Sequence, residues 1–158
     1  MPRPMTRSSQ ATVRALAELL EYLGRAIQQS CFAAGLKPAQ WSVLRYLSRA
    51  NPSARTVSGV AAAMLTTRST TSQTVAALRR KGLVAARHSP VDARIVHLAL
   101  TAKGERLLAS DPLDPLIRTL QELSPEDIDA AARTVELLIR RAIWRADGAM
   151  RAGNLPAP

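Results

Sequence analysis

The run RSTTSQT at residues 68–74 gathers short hydroxyl side chains around one arginine and one glutamine. Ser and Thr are poor residues for a helix interior, so their density here suggests a role beyond secondary structure. Arg68 and Gln73 can make bidentate hydrogen bonds to guanine and adenine edges, while short hydroxyls permit close approach to phosphates. The run would equally suit the exposed, well-capped start of an ordinary helix, and the pattern alone does not separate these interpretations.

A second polar cluster, HSPVDAR at residues 88–94, places Asp92 two residues before Arg94 in a segment with turn chemistry. A carboxylate at this spacing can fix a guanidinium by charge-assisted hydrogen bonds. A fixed Arg94 could enter a narrow and negative minor groove. The alternative is an ordinary surface ion pair, worth about 0–1 kcal/mol of stability, which is the commoner case for such a pair.

The positive charge of the chain lies in one block. Between Lys37 and Lys103, eleven Lys and Arg residues stand against a single acid, Asp92. This block accounts for the whole formal net charge of +10, because the flanks carry equal numbers of acids and bases. A basic excess confined to one segment is typical of an electrostatic footprint for a polyanion such as double-stranded DNA.

The sequence offers little for enzymatic or metal chemistry. His88 and His97 are the only histidines, and neither lies in a cluster at ligand spacing. Neither a Gly-rich phosphate loop nor a G-x-S-x-G motif is present. The single cysteine, Cys31, and the lack of a signal-peptide core or membrane span predict a cytoplasmic protein. We therefore expect no enzyme, no bound metal and no cofactor.

Apolar periodicity predicts the elements that precede these clusters. Residues 10–34 carry an apolar stripe at spacings of three and four and should form a helix that Gly35 ends. Pro38 should open a second helix reaching about Ala50. Both helices would lie ahead of the polar run that begins at residue 68.

Two short helical patterns follow at residues 56–65 and 67–81. Thr67 is a suitable N-cap for the second of them, and Gly82 is a suitable stop. Two short helices joined by a tight junction are the pattern of a helix-turn-helix. The polar run 68–74 would therefore form the first two turns of its second helix.

The remaining chain predicts a hairpin and further helices. LVAAR and IVHLAL flank the HSPVDA turn and should pair as two strands. Thr101 should cap the helix that follows, which Pro112 and Pro115 interrupt. The motif SPED at residues 124–127 should open a last helix with an apolar face.

This order of elements, together with the segments LKPAQWSVLRYL, RSTTSQTVAALRRKGLV and RHSPVDARIVHLALTAKG, resembles the MarR family of winged helix-turn-helix transcriptional regulators. The most specific part runs from Leu78 to Gly104, where L-x-x-K-G-L-V, D-x-R and L-x-L-T-x-K-G follow one another. The resemblance covers roughly Val13 to Ile143 and implies a mainly α fold with a small β-hairpin wing.

The resemblance also implies an organisation for the chain. Residues 10–36 and 104–146 would be dimerisation helices that intertwine with those of a second copy, around a winged helix-turn-helix at 37–103. The composition of residues 147–158 predicts a flexible tail.

The positions expected to contact DNA fall into three groups. The recognition-helix positions fall on Arg68, Ser69, Thr70, Ser72 and Gln73. The wing positions fall on Arg87, Asp92 and Arg94, of which Arg94 would reach the minor groove and Asp92 would brace it. Phosphate contacts are expected from Arg55, Arg79, Arg80 and Lys81.

Two positions depart from the family pattern, and other residues could bind an effector or respond to oxidation. Lys37 stands where Thr or Ser often caps the second helix, and Thr71 stands where Val or Ile usually packs. A cleft for a small aromatic or phenolic effector would be lined by Tyr22, Gln28, Phe32, Trp41 and Arg45, although Trp41 and Phe32 could simply be core residues. Cys31 could act as a redox sensor, or be a small buried hydrophobe.

The sequence thus predicts a homodimeric, sequence-specific DNA-binding regulator, a ligand-responsive repressor acting on a palindromic operator. Two alternatives stay open. One is a winged-helix module that binds proteins and not DNA, and the other is a regulator that senses oxidation through Cys31.

Overall fold

The computed structural model describes residues 7–88, 92 and 94–150, with side chains described between residues 12 and 141. This part of the chain contains seven helices and one two-stranded hairpin. Their bounds are α1 Arg7–Ser30, α2 Pro38–Arg49, α3 Val57–Ala63, α4 Arg68–Arg80, β1 Val84–His88, β2 Val96–Leu100, α5 Ala102–Leu108, α6 Asp114–Gln121 and α7 Pro125–Met150. The chain divides into two compact units, one through Asp114 and one from Pro115 onward. None of the helices described is long and apolar enough to cross a membrane.

Helix α1 ends earlier than its apolar pattern predicts. The sequence predicts a helix to residue 34, whereas α1 ends at Ser30, whose hydroxyl donates to the Ile27 carbonyl. Ala34 and Gly35 then adopt left-handed backbone angles, with φ of 51° and 68°. Two consecutive left-handed residues form a turn rather than a helical cap. The prediction was wrong by four residues because no local signal marks this turn before Gly35.

Helix α2 begins at Pro38, as predicted, despite its unusual N-cap. The Lys37 side chain cannot accept a hydrogen bond, but its backbone N–H donates to Oε1 of Gln40 at 3.0 Å. This is one half of a capping box. Gln40 therefore compensates for part of the cap that Lys37 fails to supply.

The core of the first unit surrounds the inner face of α2. Trp41, Leu44 and Leu47 are fully buried there. They belong to one apolar cluster with residues from the helix-turn-helix and the hairpin, namely Val60, Val75, Leu78, Leu83, Val84 and Leu98. Burial of a large aliphatic side chain contributes about 1.5–3 kcal/mol. This cluster therefore holds α4 and the hairpin in fixed positions.

The hairpin pairs as predicted and acquires one further segment. β1 and β2 run antiparallel, from Val84 opposite Leu100 to His88 opposite Val96. On the other side of β2, the Leu98 N–H donates to the Arg55 carbonyl at 2.6 Å, and Thr56 forms an isolated bridge with His97. The residues just before α3 are thus bound to the wing.

The later helices start at the predicted caps. The Thr101 hydroxyl accepts from the Gly104 N–H at the start of α5, and the Ser124 hydroxyl accepts from the Asp127 N–H at the start of α7. Residues 147–150 lie within α7 and not in a tail, and residues 151–158 lie outside the described part. The apolar face predicted for α7 is exposed at Val135, Leu138 and Ile139, while the side chain of Ile143 is outside the described set.

Candidate nucleic-acid interface

Helix α4 has one polar exposed face and one buried face. Thr67 caps it, because its hydroxyl accepts from the Thr70 N–H at 3.1 Å. Thr71, Val75 and Leu78 are buried and fix the helix to the core. The predicted recognition residues are all exposed, namely Arg68, Ser69, Thr70, Ser72 and Gln73. The helix therefore presents them together along its first two turns.

A groove joins this exposed face to the base of the hairpin. Arg68 and Ser72 from α4 line it together with Arg94, which follows the hairpin tip. The groove has a volume of about 720 Å³. Hydroxyls of Ser53 and Ser58 lie along it, and none of its described lining residues carries a carboxylate. Two residues that the sequence placed in separate elements, Arg68 and Arg94, thus face one basic groove.

Asp92 organises the turn that carries Arg94. Its Oδ1 accepts the backbone N–H of Arg94 at 2.9 Å, and its backbone carbonyl accepts the N–H of Ile95 at 2.9 Å. This contact holds the main chain, and the expectation that the carboxylate also braces the Arg94 guanidinium stays a prediction. Residues 89–91 and 93, which complete the predicted turn, are outside the described set. Asp92 fixes where the Arg94 side chain leaves the backbone.

The predicted phosphate contacts divide into two kinds. Arg79 and Arg80 are exposed in the last turn of α4, and Arg87 is exposed on β1. Arg55, by contrast, donates through Nε to the Ala50 carbonyl at 2.9 Å, and Lys81 donates through Nζ to the Gly35 carbonyl at 3.0 Å. The last two residues therefore already contribute to holding the fold together.

The junction between α3 and α4 contains a feature that the sequence did not reveal. Leu65 has a φ of 51° and is 62% exposed. The Thr66 N–H donates to the Ala61 carbonyl and the Leu65 N–H to the Ala62 carbonyl, which is a Schellman motif. Glycine is usual at this left-handed position, so the presence of leucine implies strain.

His97 is a groove residue that sequence reasoning missed. The sequence suggests His97 only as a possible metal ligand, yet it lines the same groove as Arg68 and Arg94. Its Nδ1 is buried and has no hydrogen-bond partner within the described structure. His97 is half-buried in a strand whose side chains alternate between the two faces. Nothing in the neighbouring sequence indicates that it lines the groove.

Comparison with known proteins agrees with this geometry. Residues 34–95, from the turn after α1 to the residue before β2, match the MarR family model. The winged helix-turn-helix of this chain is similar to that of the MarR family. No curated protein sequence matches the chain.

Solved structures extend the similarity beyond residues 34–95. A MarR family transcription regulator is 25% identical and has a TM-score of 0.66, with 90% of this chain and 93% of that chain covered. Sco3205 from Streptomyces coelicolor, solved in complex with DNA, is 23% identical with a TM-score of 0.68, covering 94% and 91%. MepR from S. aureus, also solved with DNA, is 21% identical with a TM-score of 0.68, covering 87% and 99%. The predicted fold, mainly α with a small β-hairpin wing, is confirmed.

None of the cavities described among the resolved side chains brings together the five residues expected to line an effector cleft. Trp41 is fully buried and donates through Nε1 to the Ala33 carbonyl at 3.3 Å. Phe32 and Tyr22 are more than half exposed, and neither lines a cavity described in this chain. Gln28 lines a separate cavity below α4.

The fifth residue of that cleft, Arg45, is part of a buried ion pair. Its guanidinium lies 2.7 Å from Oδ1 of Asp111, and the two side chains are 15% and 10% exposed. The same carboxylate oxygen accepts the N–H of Leu113. Sequence reasoning missed Asp111 because the two residues are 66 positions apart. The pair joins α2 to the segment between α5 and α6.

Cys31 lies in the core of the first compact unit. It is 2% exposed and belongs to the same apolar cluster as Leu36 and Trp41. Reactive cysteines need access and a stabilised thiolate. The position favours the interpretation of Cys31 as a small buried hydrophobe.

Proposed function

We propose that this chain is a MarR-family transcription regulator that binds double-stranded DNA in a sequence-specific manner. The observation that carries the proposal is the groove that Arg68 and Ser72 share with Arg94. A recognition helix and a wing that face one basic groove can contact adjacent major and minor grooves of a duplex. The confinement of the net positive charge to residues 37–103 supports the same partner.

The recognition helix and the wing would contact different parts of the duplex, because they carry different side chains. Arg68 and Gln73 would read base edges in the major groove, while the hydroxyls around them contact phosphates. Arg94 would insert into the neighbouring minor groove from the turn that Asp92 organises. Further phosphate contacts would come from Arg79, Arg80 and Arg87. Arg55 and Lys81 would contribute less, because their side chains are already hydrogen-bonded within the protein.

We further propose that the protein acts as a homodimer. Val13, Leu16, Leu19 and Leu23 are 46–64% exposed along α1. Val135, Leu138 and Ile139 are 42–50% exposed along α7. Monomeric soluble proteins rarely expose contiguous apolar faces of this kind. A second copy related by twofold symmetry would cover them and set two recognition helices on a palindromic operator.

The regulatory output is proposed as repression that a small ligand relieves. A dimer bound across an operator can exclude other proteins from the site. A ligand that favours a different spacing of the two winged domains would release it, since a ligand shifts an equilibrium by its differential affinity.

The interface is tested on DNA selected by the protein from a random pool. Arg94→Ala should weaken binding to the selected duplex by about fivefold or more, as expected for losing one groove contact. Fluorescence anisotropy measures the change. Arg133→Ala, which removes the same charge from the exposed surface of α7, is the matched control. Equal affinity of the Arg94 variant and the control would remove the wing from the mechanism.

The rival function is a winged-helix module that binds proteins. A DNA-binding protein that neutralises several phosphates loses affinity steeply as salt rises, because counterions are released on binding. A titration at several salt concentrations distinguishes the two. A flat salt dependence, or failure to enrich any duplex, would favour the rival.

A further inference from the structure

His97 lies in β2, on the wall of the groove proposed to meet DNA. Its side chain lines that groove together with those of Arg68 and Arg94. Its backbone is paired on both edges, since His97 lies opposite Arg87 of β1 and forms a bridge with Thr56 on the other side. Pairing on both edges fixes the face of the strand from which a side chain projects. The imidazole is therefore held at the groove.

The Nδ1 atom of His97 takes no part in holding the fold together. It is buried, and no group in the described structure forms a hydrogen bond with it. Buried polar atoms without a partner are few in folded proteins, and each such atom calls for an explanation. A β-branched residue such as valine would suit this strand position at least as well. The presence of histidine therefore points to a role outside the hairpin.

Three arginines surround the imidazole. Arg68 from α4 and Arg94 from the turn line the same groove as His97. Arg87 lies directly opposite His97 on β1, and residues directly opposite each other in antiparallel strands project from the same face. A proton on His97 would add a further positive charge beside these guanidiniums, which is unfavourable when no negative charge lies close.

The other charged groups near β2 do not line the groove within the part of the chain that the structure describes. Asp92 accepts the backbone N–H of Arg94, and Arg55 lines a different cavity. Helix α3 contains no titratable side chain. The titratable side chains of α2 and α5 also lie outside the groove lining, namely Arg45, Tyr46, Arg49, Lys103, Glu105 and Arg106.

A bound duplex would reverse the charge around the imidazole. Double-stranded DNA carries about one negative charge per 1.7 Å of its length, and these phosphates would lie over the groove. Negative charge close to a histidine favours its protonated form. Histidine is also the side chain that ordinarily changes charge between roughly pH 5 and 8. The same ring can therefore be neutral in the free protein and charged in the complex.

We propose that His97 takes up a proton when the protein binds DNA, so that DNA affinity rises as the pH falls through the range in which histidine titrates. The proposal rests on the proposed function, because the duplex is the ligand, and it adds a residue that senses protons to the DNA groove. The direction follows from linkage. If bound DNA favours the charged ring, the charged ring favours bound DNA by the same factor.

The first test measures affinity for the selected duplex by fluorescence anisotropy between about pH 8 and about pH 6, at constant ionic strength. Uptake of one proton changes the Kd by up to about tenfold per pH unit, and we expect the wild type to bind about threefold or more tightly for each unit the pH falls. His97→Gln keeps a polar side chain that does not titrate and should lose most of this dependence. His97→Lys keeps a positive charge throughout and should bind tightly at about pH 8 with little further gain.

His88→Gln is the matched control. His88 is the other histidine of the chain and lies in the same hairpin, opposite Val96, but it does not line the groove. The control should keep the pH dependence of the wild type. Calorimetric titrations near neutral pH, in PIPES and in Tris, count the protons taken up, because the two buffers differ in ionisation enthalpy. Uptake should be present in the wild type and in His88→Gln, and reduced in His97→Gln.

The proposal is overturned if wild-type affinity does not change with pH, or if His97→Gln keeps the wild-type dependence and proton uptake. It is also overturned if the dependence disappears in His88→Gln instead. A wild type that binds no duplex at any pH would overturn the DNA-binding function as well. Binding that is tight but independent of pH would overturn the role of His97 alone.

Discussion

Asp92 is the only acid in the basic block, and its carboxylate bonds to the main chain of the turn that carries Arg94. The carboxylate accepts the backbone N–H of Arg94 at 2.9 Å. An exposed acid close to a phosphate backbone would be repelled by it, so a direct contact with DNA is not expected. The residue instead sets the conformation from which Arg94 approaches the duplex.

This contact predicts a distinction between two substitutions of Asp92. Asp92→Ala removes the acceptor and should reproduce much of the affinity loss of Arg94→Ala, whereas Asp92→Asn keeps an acceptor oxygen and should retain most of the affinity. The double variant Asp92→Ala, Arg94→Ala should be little weaker than either single variant, since both act on one contact. Anisotropy titrations measure all four proteins. Additive losses would show that the two residues act independently.

The junction between α3 and α4 holds Leu65 in a left-handed backbone conformation that favours glycine. The left-handed region costs a non-glycine residue about 1–2 kcal/mol. Glycine recovers this cost but loses about 0.5–1 kcal/mol of chain entropy on folding. Leu65 is 62% exposed, so little packing is lost on its removal.

Leu65→Gly should therefore raise the free energy of unfolding by up to about 1 kcal/mol. Urea denaturation followed by circular dichroism measures it. Leu65→Ala is the control, because alanine removes the same side chain but keeps the strain, and it should give no gain. If both variants are destabilised equally, the leucine side chain has a packing role that its exposure does not indicate.

The ion pair between Arg45 and Asp111 joins α2 to the chain before α6. Removing one partner of a buried pair leaves an uncompensated charge and costs about 3–5 kcal/mol. Asp111→Ala should approach this loss in urea denaturation. Combining it with Arg45→Met should restore part of the stability, because the stranded charge is removed as well. A loss below about 1 kcal/mol for Asp111→Ala would place the pair among ordinary surface ion pairs.

The elements that the sequence predicts well are those with local signals. Caps at Thr67, Thr101 and Ser124 lie within a few residues of the groups they bond, and the exposed face of α4 follows from helical periodicity. The pair Arg45–Asp111 joins distant positions, and within the described structure the buried hydroxyl of Thr71 has no hydrogen-bond partner. Such features depend on packing, so a sequence pattern does not contain them.

For the whole molecule, the exposed apolar stripe of α1 is the feature that a single chain leaves uncovered. Leu16 and Leu23 are 48% and 46% exposed. Leu16→Glu combined with Leu23→Glu should convert a dimer to a monomer, because burying two carboxylates in an apolar interface is unfavourable. Light scattering measures the molar mass. The control, Ala102→Glu, places an acid on the exposed start of α5 and should leave the mass unchanged. A dimer that persists in the double variant would place the interface elsewhere.

The backbone bridge between β2 and the residues before α3 has a consequence for the operator. Arg55 and Thr56 are bonded to Leu98 and His97, so the wing cannot swing away from the helix-turn-helix without breaking main-chain hydrogen bonds. Inserting one base pair between half-sites rotates one of them by roughly 35° about the duplex axis, given about 10.5 base pairs per turn. Neither the recognition helix nor the wing can follow that rotation independently of the other. We therefore expect DNA affinity to depend strongly on the helical phase between the two half-sites. Affinity should return only when the insertion approaches a full helical turn.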